Sequence, residues 1–188
     1  MMNVPNALTL ARLIAVPIFI VASFNGHYAL AFWLFIGAAV TDILDGMIAR
    51  QFNQRSRFGA FFDPAADKTM MVSGYLFYTL RRGLPFVTIP AWLTFTVFIR
   101  DFLLICAAYL MYTRVRVTRF PPSVAGKAST VIQAGTLATA VAANAWGSAW
   151  LLWLAGMLFS VAAVMTLVSG WDYIRRAERV LDPLPAPK

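Results

Sequence analysis

Long apolar runs broken by short polar punctuation set the plan of this chain. The first run reaches from Leu13 to about Phe24, behind the polar helix-entry residues Asn6 and Thr9 and a Pro5 that suits a first turn. A turn at Asn25-Gly26 leads to a second run from about Tyr28 to Arg50, close to the length that crosses a bilayer. The third spans about Phe58 to Leu80 and the fourth about Pro90 to Tyr112. The fifth spans about Ser123 to Trp146 and the sixth about Ser148 to Trp171. This pattern predicts an all-α integral membrane bundle of six transmembrane helices, with no internal repeat and no heptad seam. A single domain is expected over residues 1–180. The Pro-rich LDPLPAPK end, residues 181–188, is expected to be a disordered tail.

Composition agrees with that plan. The chain is 60% hydrophobic, where a soluble domain is about half apolar, and its mean hydropathy is +0.69. A net charge of +8 raises the question of nucleic acid, but apolar runs of this length exclude that class. With six spans both termini share one side. Arg12, Arg50, Arg55, Arg57, Arg114, Arg116, Arg119, Lys127, Arg175, Arg176, Arg179 and Lys188 then gather on it, against Arg81 and Arg82 on the other. The positive-inside bias makes that side cytoplasmic and the location the inner membrane; attraction to anionic lipid headgroups is a second source of such a bias. The single cysteine, Cys106, has no internal disulfide partner. No basic region precedes the first apolar run, so no cleaved signal peptide is expected.

Some charged residues do not fit simple membrane anchoring. Asp42 and Asp45 are three apart near the end of the second run, and Asp63 and Asp67 are four apart near the start of the third. Each pair shares a helix face. A short polar connector, Gln51 to Arg57, joins the two runs, so all four carboxylates fall at one depth on one side. Acidic groups there are costly unless neutralised, and a hard divalent cation prefers carboxylate oxygens. Pro64 is tolerable in a first helical turn. Lys68 either offsets the local charge or snorkels to the interface. Arg100 and Asp101 fall near the middle of the fourth run, where a charged residue faces the bundle interior. Being adjacent, they do not face each other and are not expected to pair.

The stretch TDILDGMIARQFNQRSRFGAFFDPAADK, residues 41–68, resembles the signature of the CDP-alcohol phosphotransferases. Asp42, Asp45, Gly46, Ala49, Arg50, Gly59, Asp63 and Asp67 match it in full, and eight fixed identities over one span are a specific signal. The resemblance implies transfer of a phosphatidyl group from a CDP-alcohol to a second alcohol, with release of CMP. It implies Asp42, Asp45 and Asp63 as metal ligands and Asp67 as general base, with Asp67 also able to touch a metal. Two Mg2+ ions, or Mn2+, are the implied cofactors. Arg50 suits a diphosphate oxygen because its guanidinium fork matches phosphate. Gly46, Ala49 and Gly59 leave room for the nucleotide in this reading; small residues in the second run also serve close helix packing. Pro5, Asn6, Thr9 and Arg12 match a further family pattern that helps hold the nucleotide, whereas Arg12 taken alone reads as an anchor at the membrane edge. A homodimer is implied as well.

The acceptor is less sharply marked. Arg100, Arg119 and Lys127 are candidates to cradle an acidic acceptor, although Arg119 and Lys127 read equally as interface anchors. The chain is similar to the branch that holds phosphatidylglycerophosphate synthase and the cardiolipin synthases. That synthase usually has Arg-Glu in place of Arg100-Asp101, and Gly-Lys, one residue, Lys-Thr in place of Gly126-Lys127-Ala128-Ser129-Thr130. CDP-diacylglycerol is the expected donor and glycerol 3-phosphate the first-choice acceptor. Ser129 in place of lysine keeps phosphatidylglycerol, and so cardiolipin synthesis, as the alternative. From a different class, an ion-coupled transporter would use the carboxylates as an ion path, but these residues cluster at one face instead of tracing a route across. A catalytically dead membrane protein is a third reading, and the full set of matching positions argues against it.

Overall fold

The computed structural model describes the backbone of residues 4–51, 57–115 and 123–181, and side chains over 10–42, 68–107, 109 and 123–176. It is all-helical, with six helices and no strand among the described residues. In order they are α1 Val4–Phe24, α2 Tyr28–Gln51, α3 Arg57–Leu80, α4 Ala91–Val115, α5 Val124–Trp146 and α6 Ala149–Leu181. Each expected apolar run lies in one helix. The largest difference is at α6, which continues past Trp171 through the charged segment. There Arg176 Nε donates to Asp172 Oδ2 at 3.1 Å, one turn apart, and Arg175 lies 5.2 Å from the Trp171 ring; both contacts favour continued helix. Residues 182–188 of the expected tail lie outside the described residues.

The chain forms two compact units. The first holds residues 1–89 and 137–155. Within it α1 packs on α2 and α3, and α2 on α3. Phe19 of α1 is fully buried, with ring centroids 6.2 Å from Phe35 of α2 and 6.4 Å from Tyr78 of α3. The Tyr78 hydroxyl meets Ser23 Oγ at 3.2 Å, so the buried phenol is satisfied. Gly26 turns α1 into α2 with φ +79°, a left-handed conformation that glycine adopts without a Cβ clash. Buried Asn144 holds the connector after α3. Its Oδ1 accepts from the Phe86 and Val87 N–H groups at 3.1 Å each, and its Nδ2 donates to the Val87 and Ala140 carbonyls at 2.7 and 2.9 Å.

The second unit holds residues 90–136 and 156–188. Small polar groups run through its interior: Ser129, Gln133, Thr136, Thr166 and Ser169 are all buried. Gln133 Nε2 donates to Ser129 Oγ at 3.2 Å and to Thr166 Oγ1 at 2.9 Å, and Thr166 donates to the Ala162 carbonyl. Large apolar side chains point outward instead, among them Phe95, Phe102, Val131 and Leu167. Among the described residues, one segment, Ala149–Arg176, is long and apolar enough to cross a membrane. Leu10–Phe24 and Tyr28–Asp42 are shorter apolar helices.

Candidate active site

The two acidic pairs sit where the spacing placed them along the chain. Asp42 and Asp45 lie in the last turns of α2, and Asp63 and Asp67 in the early turns of α3. Gly46, Ala49 and Arg50 follow on α2, and Gly59 opens α3. The side chains of Asp45, Arg50, Asp63 and Asp67 lie outside the described residues, as do those of Asn6 and Thr9 on α1. Arg119 lies outside them altogether. The structure therefore describes one of the four carboxylates at atomic detail, and it is engaged. Arg12 Nη1 donates to Asp42 Oδ1 at 2.7 Å. The Arg12 side chain is 1% exposed and that of Asp42 is 44% exposed. A buried guanidinium thus grips one oxygen of a carboxylate whose surface remains open. This is a charge-assisted bond at the short end of its range, and it ties α1 to α2 at the acidic end. Within the sequence Arg12 had read as a membrane-edge anchor or a nucleotide contact; the ion pair with Asp42 was missed.

The donor set suits a hard divalent ion. Carboxylate oxygens are the ligands such ions prefer, and a carboxylate offers about four lone-pair sites. The arginine bond to Asp42 uses part of that capacity and fixes the group's orientation, as outer partners of metal ligands commonly do. Lys68, next to Asp67, is exposed on α3.

The second basic group lies on α4, α5 and α6. Arg100 is buried, and each of its guanidinium nitrogens donates within the protein. Nε and Nη2 reach Ser169 Oγ at 3.2 and 2.6 Å. Nη2 also reaches the Gly126 carbonyl at 3.4 Å, and Nη1 reaches Asp101 Oδ1 at 3.0 Å. That last bond corrects the expectation that neighbours on a helix do not pair. The rule concerns the directions in which side chains leave the backbone, and an arginine is long enough to fold back across the intervening angle. The Tyr173 ring stands 5.9 Å from the guanidinium carbon. Ser123 precedes α5 and accepts from the Gly126 N–H at 2.9 Å, a helix cap. Lys127 follows in the first turn and is exposed. Ser129, where the synthase pattern usually has a second lysine, is fully buried and bonded to Gln133. A groove of about 670 Å³ lies beside this cluster, walled by Thr96, Ile99 and Leu103 of α4 and Leu167, Trp171 and Ile174 of α6. Arg100 is the one charged residue in its lining.

A family model described as CDP-alcohol phosphatidyltransferase matches residues 2–168. The chain belongs to the CDP-alcohol phosphatidyltransferase family. The matched stretch contains every motif position named above, so the family resemblance read from residues 41–68 is met over most of the chain. An Escherichia coli K12 protein named CDP-diacylglycerol–glycerol-3-phosphate 3-phosphatidyltransferase is 35% identical over 187 residues, covering 93% of this chain and 94% of the relative. A Cereibacter sphaeroides protein of the same name is 32% identical over 210 residues, covering 93% and 95%. A Mycobacterium tuberculosis protein named "Probable phosphatidylglycerophosphate synthase" is 33% identical over 183 residues, covering 94% and 82%. In this family member the sequence reading assigned no role to Ser123, Ser169 or Tyr173, and met Gly126 only as a motif position. A glycine in the first turn of a helix was the available signal, since it costs helix stability relative to alanine.

Proposed function

We propose that this protein is a phospholipid-biosynthetic transferase that moves the phosphatidyl group of CDP-diacylglycerol to glycerol 3-phosphate, giving phosphatidylglycerophosphate and CMP. The observation that carries the reading is the complete set of eight motif residues in the last turns of α2 and the early turns of α3, in a chain 32–35% identical to relatives bearing that activity in their names. A glycerol hydroxyl of the acceptor attacks the phosphatidyl phosphorus. The bond from that phosphorus to the CMP oxygen breaks, and CMP leaves. Asp67 takes the hydroxyl proton, because a neutral alcohol is a poor nucleophile. Asp42, Asp45 and Asp63, with Asp67 at the edge, would hold two Mg2+ ions, or Mn2+. Bound there, the metal would neutralise and polarise the diphosphate oxygens. Arg50 holds a diphosphate oxygen, while Asn6, Thr9, Gly46, Ala49 and Gly59 shape the nucleotide site. Lys127 and Arg119 recognise the acceptor phosphate.

The enzyme works in the inner membrane as a six-span homodimer with the acidic cluster on the cytoplasmic side. The supports are the basic excess on that side, large apolar side chains turned outward with small polar ones inside the second unit, and the apolar length of α6. Cross-linking in the membrane tests the dimer. The acceptor is tested by supplying CDP-diacylglycerol with a panel of acceptors, with and without Mg2+, and identifying the lipid product and CMP. Phosphatidylglycerophosphate is the expected product. Cardiolipin from phosphatidylglycerol, with no phosphatidylglycerophosphate, would overturn the assignment.

A further inference from the structure

The acceptor candidates differ in a way that sequence could not display. Lys127 is exposed, whereas Arg100 is buried with every guanidinium nitrogen already donating inside the protein. The groove that Arg100 helps line is otherwise walled by aliphatic, aromatic and threonine side chains. A soluble dianion entering it would give up its hydration to meet one cation whose nitrogens are all already engaged within the protein, which is unfavourable. The contacts of Arg100 point elsewhere, to the start of α5. Its Nη2 reaches the Gly126 carbonyl, and Gly126 immediately precedes Lys127. A Cβ added at Gly126 would lie 3.2 Å from Ser123 Oγ, 3.2 Å from Tyr173 and 3.3 Å from Arg100 Nη2. Three helices therefore converge on this one residue, closely enough that a larger side chain would have to push its neighbours back by a few tenths of an ångström. Ser169 of α6 fixes the arginine by accepting from two of its nitrogens, and Asp101 holds the third.

We infer that Arg100 is a positioning residue: braced by Ser169 and Asp101, it sets the first turn of α5 and thereby places Lys127 for the phosphate of the acceptor. The inference rests on the glycerol 3-phosphate reading for its functional half. Its structural half stands alone. Losing a charged hydrogen bond, as in Lys127→Gln, corresponds to roughly 10–100-fold in affinity. Ser169→Ala removes the brace and acts through the same lysine, so it raises KM for glycerol 3-phosphate by about tenfold. KM for CDP-diacylglycerol is unchanged, and Ser169→Thr, which keeps the hydroxyl, restores the wild-type value.

The deciding experiment is a double-mutant cycle on the full-length protein in detergent or nanodiscs. In a Lys127→Gln background, Ser169→Ala should have no further effect on the glycerol 3-phosphate KM. Additive effects would mean that Arg100 meets the acceptor itself, and would overturn the inference. An equal rise in KM for CDP-diacylglycerol would do the same, because it would mark a general loss of structure. Gly126→Ala provides a second perturbation of the same contact, with the same non-additivity expected, should Ser169→Ala fold poorly. Amide hydrogen exchange over residues 124–130 reads the brace without any turnover. Faster exchange in Ser169→Ala or Gly126→Ala is expected, and unchanged exchange in both would refute the structural half. If wild type makes no phosphatidylglycerophosphate, the acceptor reading fails on its own, and the exchange result still decides whether the brace exists.

Discussion

Replacing Arg12 with lysine keeps the buried cation and removes the guanidinium fork. In the wild type, Arg12 Nη1 holds Asp42 Oδ1 at 2.7 Å. Lysine is a point donor on a shorter reach and does not reproduce that directed bond. A hydrogen bond to a charged group contributes about 1.5–3 kcal/mol. The Asp42 side chain is 44% exposed, so water competes and the lower end applies, about 1.5 kcal/mol or roughly tenfold in an equilibrium constant. If Asp42 is a metal ligand, that loss falls on metal affinity, and changes in outer partners of ligands cost about 10–100-fold there. Arg12→Lys is therefore expected to raise the Mg2+ concentration for half-maximal turnover by about tenfold. KM for CDP-diacylglycerol should hold steady once Mg2+ is saturating. The assay is CMP release as a function of Mg2+, with metal binding followed in parallel by calorimetry. A raised KM for CDP-diacylglycerol with an unchanged Mg2+ dependence would refute the reasoning. It would move Arg12 back to contact with the nucleotide.

Four further outcomes are expected. Asp42→Asn and Asp63→Asn each remove a charged ligand and should abolish turnover; near-normal CMP release from either would sink the metal cage. Asp67→Asn should lower the rate by about 10²–10⁴-fold while CDP-diacylglycerol binding persists, and parallel loss of binding would make Asp67 chiefly a ligand. Single cysteines at the N-terminus, in residues 54–57 and at the C-terminus should all react from the cytoplasmic side only, and labelling of residues 114–119 from the opposite side would break the six-span proposal. Ser129→Lys should lower the thermal midpoint without changing the product, since Ser129 is fully buried; a stable variant with a higher glycerol 3-phosphate affinity would show that this position opens to the acceptor.

What sequence made legible was whatever depends on spacing within one helix. Apolar length located all six helices, and three- and four-residue spacings put the acidic pairs on α2 and α3. Contacts between helices were another matter. The Arg12–Asp42 pair joins positions thirty residues apart, and nothing in either local pattern fixes the register of α1 against α2. The Arg100–Asp101 pair fails for the opposite reason. The facing rule is correct for short side chains, and the reach of arginine defeats it. The polar seam through Gln133 and Thr166 was invisible because serine and threonine on an apolar helix read as neutral. In a membrane such groups are drawn inward to satisfy one another.

The same distinction governs how basic residues in such a chain should be read. Charge and depth along the chain left three acceptor candidates, with Arg100 the least readily explained as an interface anchor. Burial separates Arg100 from Lys127. A cation enclosed by protein must have its hydrogen bonds met there, or its desolvation cost is not offset. Arg100 donates from each guanidinium nitrogen and is thereby committed to α5 and α6, while Arg12 is tied to α2 through Nη1. Lys127 is under no such constraint and keeps its ammonium at the surface. Ser129 sharpens the point. A lysine there would have to bury its charge beside Gln133 and Thr166, whose oxygens offer hydrogen bonds but no counter-charge. The serine follows from how α5 packs here, and it weighs less against glycerol 3-phosphate than the bare motif comparison suggested.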